Sequence, residues 1–373
     1  MVLIQRVLKN LEYRRKKVLE GGINCIPTPF QSFKTDFPGV EQGKFYLISG
    51  ASKSAKTQIT NFLFLYTPVL YAYNNPDKLR LQIFYFPLEE TPEKITMRFM
   101  CFLLYMLSGK KIRLSTLQLS SIDKANVVDE SILQLLNSIE YRSILDFFEE
   151  HVHFISDRNP TGLYKVVKNY AEAAGTTHRK TMLIENKETG VKQEKKVFDY
   201  YEPKDPDEYV EIIVDHASLV DQERGMTKKE AIDKLTEYCM VFRNRYNCIP
   251  VLLQQQNSDT ISLDAVKTNR ISPTQNGLAD TKDTGKACTM MLGITNPFNY
   301  GFPKYMGYDI SKLKSYARFL EIVLNREGES NSLLALYFDG AVNYFAPLPK
   351  ANDLENLNKV YKLVQNNMNS ILK

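Results

Sequence analysis

The chain has 373 residues, 43% hydrophobic and 24% charged, with a formal net charge of +5, which fits a globular protein of one large domain or two ordinary ones. No run reaches the ~18 uninterrupted apolar residues of a membrane span, so no membrane partner is expected, and Cys25, Cys101, Cys239, Cys248 and Cys288 form no C-x-x-C pair and have no matched histidines, which argues for a reducing compartment and against structural zinc. The mild positive charge permits a polyanionic partner without demanding one.

In chain order, Val2 to Glu20 places Ile4, Val7, Leu8, Leu11 and Val18 near one face of a predicted helix. Arg14-Arg15-Lys16-Lys17 lies near its C-terminal end, where cations suit the helix dipole, and Gly21-Gly22 ends it. The segment from Met1 to Leu19 is basic throughout and lacks an apolar core with a small-residue cleavage site, so it is not read as a secretory signal. The apolar face either packs on its own domain or serves as a docking arm for a neighbouring subunit.

A turn-rich stretch, Phe37 to Gly43, leads into a predicted strand from Lys44 to Ser49. Gly50-Ala51-Ser52-Lys53-Ser54-Ala55-Lys56-Thr57 follows and opens a helical pattern from Thr60. This reads as the phosphate loop G-x-x-x-x-G-K-[ST]: backbone N–H groups and a helix N-terminus cradle phosphates, the lysine neutralises them, and the hydroxyl holds Mg²⁺. Ala55 occupies the slot of the second glycine. If φ there is positive, or the methyl faces phosphate, the alanine costs about 1–3 kcal/mol.

A second strand, Leu79 to Phe86, ends in Pro87-Leu88-Glu89-Glu90, where a carboxylate beside a phosphate loop suits a general base. Thr91-Pro92-Glu93 also marks a helix start, so Glu89 and Glu90 stand equally as catalytic acids or as helix-start charge. Helical patterns follow over Ile95 to Leu107 and Ser131 to Glu150; His151 and His153 are read as ordinary partners. Thr181 to Tyr201 reads as an inserted hairpin turning at Glu188-Thr189-Gly190, whose Lys187, Lys192, Lys195 and Lys196 meet either nucleic acid or solvent.

Tyr209 to Asp215 is the strongest buried-strand signal, and its terminal acid suits the water shell of Mg²⁺. A helix from Lys228 to Tyr246 leads to a strand over Ile249 to Leu253 and to Gln254-Gln255-Gln256-Asn257, amides that either sense a γ-phosphate or simply end a strand. Ser258 to Thr284 reads as a mobile loop carrying Lys267, Arg270 and Lys282. Two late strands, Phe319 to Leu324 and Leu333 to Phe338, flank Asn325-Arg326-Glu327-Gly328, and a helical tail runs over Leu354 to Leu372.

Together these stretches resemble the C-terminal ATPase domain of DnaB-like replicative helicases, a RecA-fold family, over roughly residues 1 to 347. The first helix resembles the family's linker helix, which docks each subunit on the next, and Gly22 to Phe30 resembles its G-I-P-T-G-F segment. Phe86 to Glu90, with Met97-Arg98 following, is similar to F-S-L-E-M, whose glutamate activates the attacking water; this favours Glu89. Ile213 to Leu219 resembles the Walker B segment V-D-Y-L-Q-L. Val251 to Asn257 resembles A-L-S-Q-L-N, which implies Gln255 as γ-phosphate sensor, and Asn325 to Gly328 is similar to K-Q-R-N-G, which implies Arg326 as an arginine finger. The chain departs from the pattern at Ala55, at Leu324 in place of a lysine, at Ala279 in place of an arginine, and in the inserted hairpin; the family's globular N-terminal domain has no counterpart in this sequence.

The resemblance implies an α/β fold: a RecA-like P-loop NTPase core with a mostly parallel central sheet and helices on both faces. Its expected parts are a docking helix over 1–22, an ATPase domain over 23–349 with the hairpin at about 181–201, and a helical tail over 350–373. It implies an ATP-dependent DNA helicase motor, a ring-shaped homo-hexamer using ATP and Mg²⁺ between subunits, in the cytoplasm of a bacterium or phage-infected host. Single-stranded DNA is expected in loops 220–229 and 258–283, on Arg224, Lys228, Lys267, Arg270 and Lys282, with a primase or helicase loader as a further partner. Two alternatives stand beside it: a RecA-like recombinase, and a nucleic-acid-binding scaffold that has lost turnover, which Ala55, Ala279 and Leu324 favour.

Overall fold

A computed structural model describes residues 3–124, 126–185, 192–257, 268, 271–330 and 332–371. Its centre is a nine-stranded sheet. In chain order the strands are β1 (Tyr46–Gly50), β2 (Arg80–Pro87), β3 (Val152–Phe154), β4 (Glu208–Asp215), β5 (Ile249–Gln255), β6 (Met290–Thr295), β7 (Ala317–Asn325), β8 (Leu333–Asp339) and β9 (Tyr344–Pro347). Their spatial order is β9-β8-β7-β6-β1-β5-β4-β2-β3. The six strands from β6 to β3 are parallel, and β7, β8 and β9 extend the β6 side as an antiparallel edge.

The parallel strands are covered on both faces, which is why they read as continuous apolar runs. Tyr46, Ile48, Tyr209 and Ile213 point into one cluster and Phe45, Leu47, Ile212 and Val214 into the other. Helix α1 is Leu3–Leu19, and α2 (Lys56–Asn61) runs through a π turn at Phe62–Tyr66 into α3 (Thr67–Asn74). Helices α4 (Pro92–Leu107) and α5 (Ile139–His151) share with α3 the first face; α6 (Pro160–Ala174) and α7 (Lys228–Tyr246) cover the second. The single helix expected over Ser131 to Glu150 is broken: one helix ends at Leu136, and extended backbone at Ser138 (φ −66°, ψ 154°) starts the next.

Helix α8 (Leu354–Ile371) buries Leu357 and Val364 against the antiparallel edge in a third cluster. The hairpin is longer at its root than the sequence pattern suggests, pairing Gly175–Glu185 with Lys192–Pro203; its expected turn lies outside the described residues. All five cysteines are free, and His153 shares a 2.7 Å hydrogen bond with Gln82 as an ordinary partner.

Helix α1 inverts the usual arrangement. Its polar side rests on its own chain: Arg6 reaches Asp199 at 3.8 Å and stacks 4.5 Å from the Tyr200 ring centre, Tyr13 donates to Asp207 at 3.2 Å, and Lys17 pairs with Asp207. Its apolar residues face outward, with Ile4 68% and Leu11 57% exposed. Among the described residues no helix is long and apolar enough to cross a membrane.

Candidate nucleotide site

The C-terminal ends of β1, β2, β4 and β5 meet at one end of the sheet: Gly50 is opposite Gln255, and Pro87 opposite Asp215. Between β1 and α2, residues 51–55 wrap back on themselves, with the Ser54 N–H donating to the Ala51 carbonyl at 3.3 Å. Gly50 admits no side chain, because a Cβ there meets Ser54 Oγ at 2.5 Å and the Ile294 carbonyl oxygen at 2.6 Å. Ala55 is left-handed, at φ 79° and ψ 37°, immediately before α2, and Lys53 is also left-handed at φ 60°. The positive-φ condition raised from the sequence is therefore met. Ala55→Gly is expected to stabilise the nucleotide-free protein by about 1 kcal/mol, the relief of the left-handed alanine less the extra chain entropy of glycine. Urea unfolding measures this; a loss of stability contradicts the assignment of strain.

The Lys56 ammonium donates to the Ala51 carbonyl at 3.0 Å, and burial lowers its pKa while Asp215 and Glu89 act to raise it. Thr57 Oγ1 donates to Asp215 at 3.3 Å, and Tyr85 donates to the other carboxylate oxygen at 3.4 Å and to Asn61 at 3.0 Å. Burial pushes the Asp215 carboxyl up to about 7 against the Thr57 hydrogen bond, with Glu89 and Glu90 adding to the rise. A cation there reverses that balance, and a hydroxyl beside a carboxylate is a hard-oxygen donor set suited to Mg²⁺. Among the described residues no three His, Cys, Asp or Glu side chains gather to hold a metal unaided, which matches an ion completed by water and phosphate.

The two glutamates after β2 part company. Glu90 is held by Arg98 in a two-pronged pair, one prong 2.7 Å long. Glu89 keeps a half-exposed carboxylate, 3.8 Å from His216 Nε2 and close enough to Lys56 to act on its charge. Of the strand-end amides, Gln254 is buried and bonded to Ala279, Thr281 and Thr284, and Gln256 donates to Ser49 at 2.8 Å and to the Thr274 carbonyl at 3.1 Å. Gln255 lines a cleft of about 610 Å³ with Ala51, Ser52, Ser218 and Ala279.

Arg326 lies at the other end of the sheet. Its backbone N–H donates to Thr289, its Nε donates to Cys288 at 2.8 Å, and Thr289 in turn donates to Phe45, just before β1 begins. Gly50 is five residues further along, about 16 Å at strand spacing. One chain therefore separates Arg326 from its own phosphate loop.

Segments 218–233 and 280–283 adjoin each other through Ser218 to Asp280, Lys229 to Asp283 at 3.4 Å and Thr281 to Asp233 at 2.7 Å. Arg224 and Lys282 are exposed there, whereas Lys228 turns inward and donates to the Val220 carbonyl at 2.6 Å. Lys267 and Arg270 lie outside the described residues. The sequence pattern did not single out three residues that touch the phosphate loop. Asn296 and Asn299 donate to the Lys53 carbonyl at 3.4 and 3.2 Å, and Arg318 Nε donates to the Ser54 carbonyl at 2.9 Å. The only local hint was a charge inside an apolar strand, Ala317-Arg318-Phe319-Leu320.

No protein-family model matches the chain, and no curated protein matches it. Solved structures do. The ATPase domain of a DnaB-like helicase superposes with a TM-score of 0.58 at 11% identity, covering 93% of this chain and 99% of that one. A second DnaB-like replicative helicase, described with its interactions with primase, gives 0.58 at 10% identity, covering 93% of this chain and 67% of that one. At these identities the likeness is one of fold: a RecA-like α/β core of the kind found in DnaB-like helicase ATPase domains.

Proposed function

We infer that the protein is an ATP-dependent helicase motor of the DnaB-like class that assembles into a ring, a hexamer, and moves on single-stranded DNA during replication. One observation carries this reading: Lys56, Thr57, Glu89, Asp215 and Gln255 converge at one end of the sheet while Arg326 sits at the opposite end, so a complete site needs a second copy. The outward apolar face of α1 supports its role as a docking arm.

In this reading Lys56 neutralises the β- and γ-phosphates, and Thr57 and Asp215 hold Mg²⁺, which when bound offsets phosphate charge. Glu89 accepts a proton from the attacking water. Gln255 senses the γ-phosphate beside loop 257–283, and the neighbour's Arg326 stabilises charge in the transition state. Arg224 and Lys282, with Lys228, Lys267 and Arg270, grip the DNA backbone, a contact that weakens with salt. A primase or helicase loader is a partner of such a ring, and the cytoplasm its compartment. The strain at Ala55 favours a second reading, a weakly catalytic scaffold on nucleic acid.

ATP turnover measured with and without single-stranded DNA, alongside the oligomeric mass, separates the two. DNA-stimulated turnover in a ring supports the motor; binding without turnover supports the scaffold. Lys56→Ala is expected to weaken ATP binding roughly 30-fold or more, the loss of a buried charge partner. Unchanged binding by calorimetry means that the loop does not hold phosphate.

A further inference from the structure

Arg318 is 5% exposed, and among the described residues no carboxylate lies within ion-pairing distance of it. Its guanidinium is spent on backbone instead. Nη1 donates to the Ser315 and Ala317 carbonyls at 2.7 and 2.8 Å, Nε donates to Ser54 at 2.9 Å, and the plane lies 4.8 Å from the Phe338 ring centre. Burial without a counter-charge draws its pKa down to about 9. Buried arginines are ordinarily paired, because an unpaired charge in a low dielectric is costly. Here the missing anion lies on the far side of one peptide.

That peptide joins Ser54 to Ala55. Its carbonyl is held by Arg318, and its N–H belongs to Ala55, the residue that caps α2 in the left-handed region. A cation on the carbonyl polarises the amide and strengthens the N–H as a donor. One residue earlier, Asn296 and Asn299 hold the carbonyl of Lys53, the loop's other left-handed residue. Three side chains from the β6–β7 connection thus fasten two successive carbonyls in a loop that lacks its second glycine.

We propose that Arg318, with Asn296 and Asn299, forms a clamp that holds the phosphate loop in its anion-binding shape in place of glycine, and that bound polyphosphate supplies the counter-charge Arg318 lacks. Arg318 is a positioning residue in this scheme, acting through the Ser54–Ala55 peptide. The proposal rests on the nucleotide-site reading above and deepens it.

The test is calorimetric titration of the full chain with MgADP, using wild type, Arg318→Met, Arg318→Lys and Ala55→Gly, and Arg318→Met combined with Ala55→Gly. Arg318→Met is expected to lose at least tenfold in affinity and Arg318→Lys less. Glycine at position 55 is expected to recover several-fold in the Arg318→Met background and to gain less in wild type, since clamp and glycine serve the same end. A merely structural role predicts equal effects of Ala55→Gly in both backgrounds, and that result overturns the proposal, as does affinity within twofold of wild type for a folded Arg318→Met. If Arg318→Met does not fold, Asn299→Ala decides: a loss of threefold or more that Ala55→Gly rescues supports the clamp, and no loss overturns it. Failure of wild type to bind MgADP overturns the nucleotide site itself, a result distinct from binding that is indifferent to Arg318.

Discussion

Arg326→Ala is expected to lower DNA-stimulated ATP turnover by about 10³ to 10⁵ while nucleotide binding stays within about twofold, the range by which an arginine finger acts on the transition state alone. The basis is placement: Arg326 is fastened to Cys288 and Lys286 beside the start of β1, and the phosphate loop lies beyond its end. No side-chain rotation spans the roughly 16 Å of strand between them. If the finger acts across an interface, Arg326→Ala and Lys56→Ala subunits, each inactive alone, recover turnover when mixed, because some interfaces then pair an intact loop with an intact finger. Normal turnover in Arg326→Ala, or mixtures as inactive as their parts, removes the assignment.

Glu211→Met is expected to stabilise the protein by roughly 1 to 3 kcal/mol at pH 8 and by less at pH 5, the cost of burying a polar group without partners. Glu211 stands in the middle of β4, fully buried between Ile83 of β2 and Ile249 of β5, and neither carboxylate oxygen finds a donor among the described residues. Burial holds its pKa well above the usual carboxylate range. A raised folded pKa means that its contribution to stability is fully present below the unfolded value near 4.5 and is lost as pH rises toward the folded pKa. Methionine has no such loss, so its advantage widens through neutral pH. Urea unfolding at the two pH values measures this; a gain equal at both, or a loss at pH 8, defeats the account. Glu211 is absent from the nucleotide chemistry, which makes it a stability probe independent of function.

Much of the architecture was legible because its signals are local. The run before Gly50 is apolar on both faces, the Lys228–Tyr246 helix carries its own capping box at Thr227 and Glu230, and Asp215 ends an apolar strand. Strand β6 was not expected, although it lies directly beside β1. Met290 to Thr295 is a short apolar run that cannot be told from a buried helix segment by periodicity. Nor was β9 expected, since Tyr344–Pro347 is short and ends in proline.

The eight residues Gly50 to Thr57 by themselves determined that a phosphate loop opens a helix, since a tight turn and a helix N-terminus are written in consecutive residues. They also located its weak point at Ala55. Tertiary structure decided the rest. Arg98 occupies Glu90 and leaves Glu89 open, bonds from both neighbours set Gln255 apart from Gln254 and Gln256, and Arg318 reaches back 264 positions to hold Ser54. Such pairings depend on strand register and on which face each side chain meets. Packing sets these between segments far apart in the chain, so no local pattern of residue types contains them.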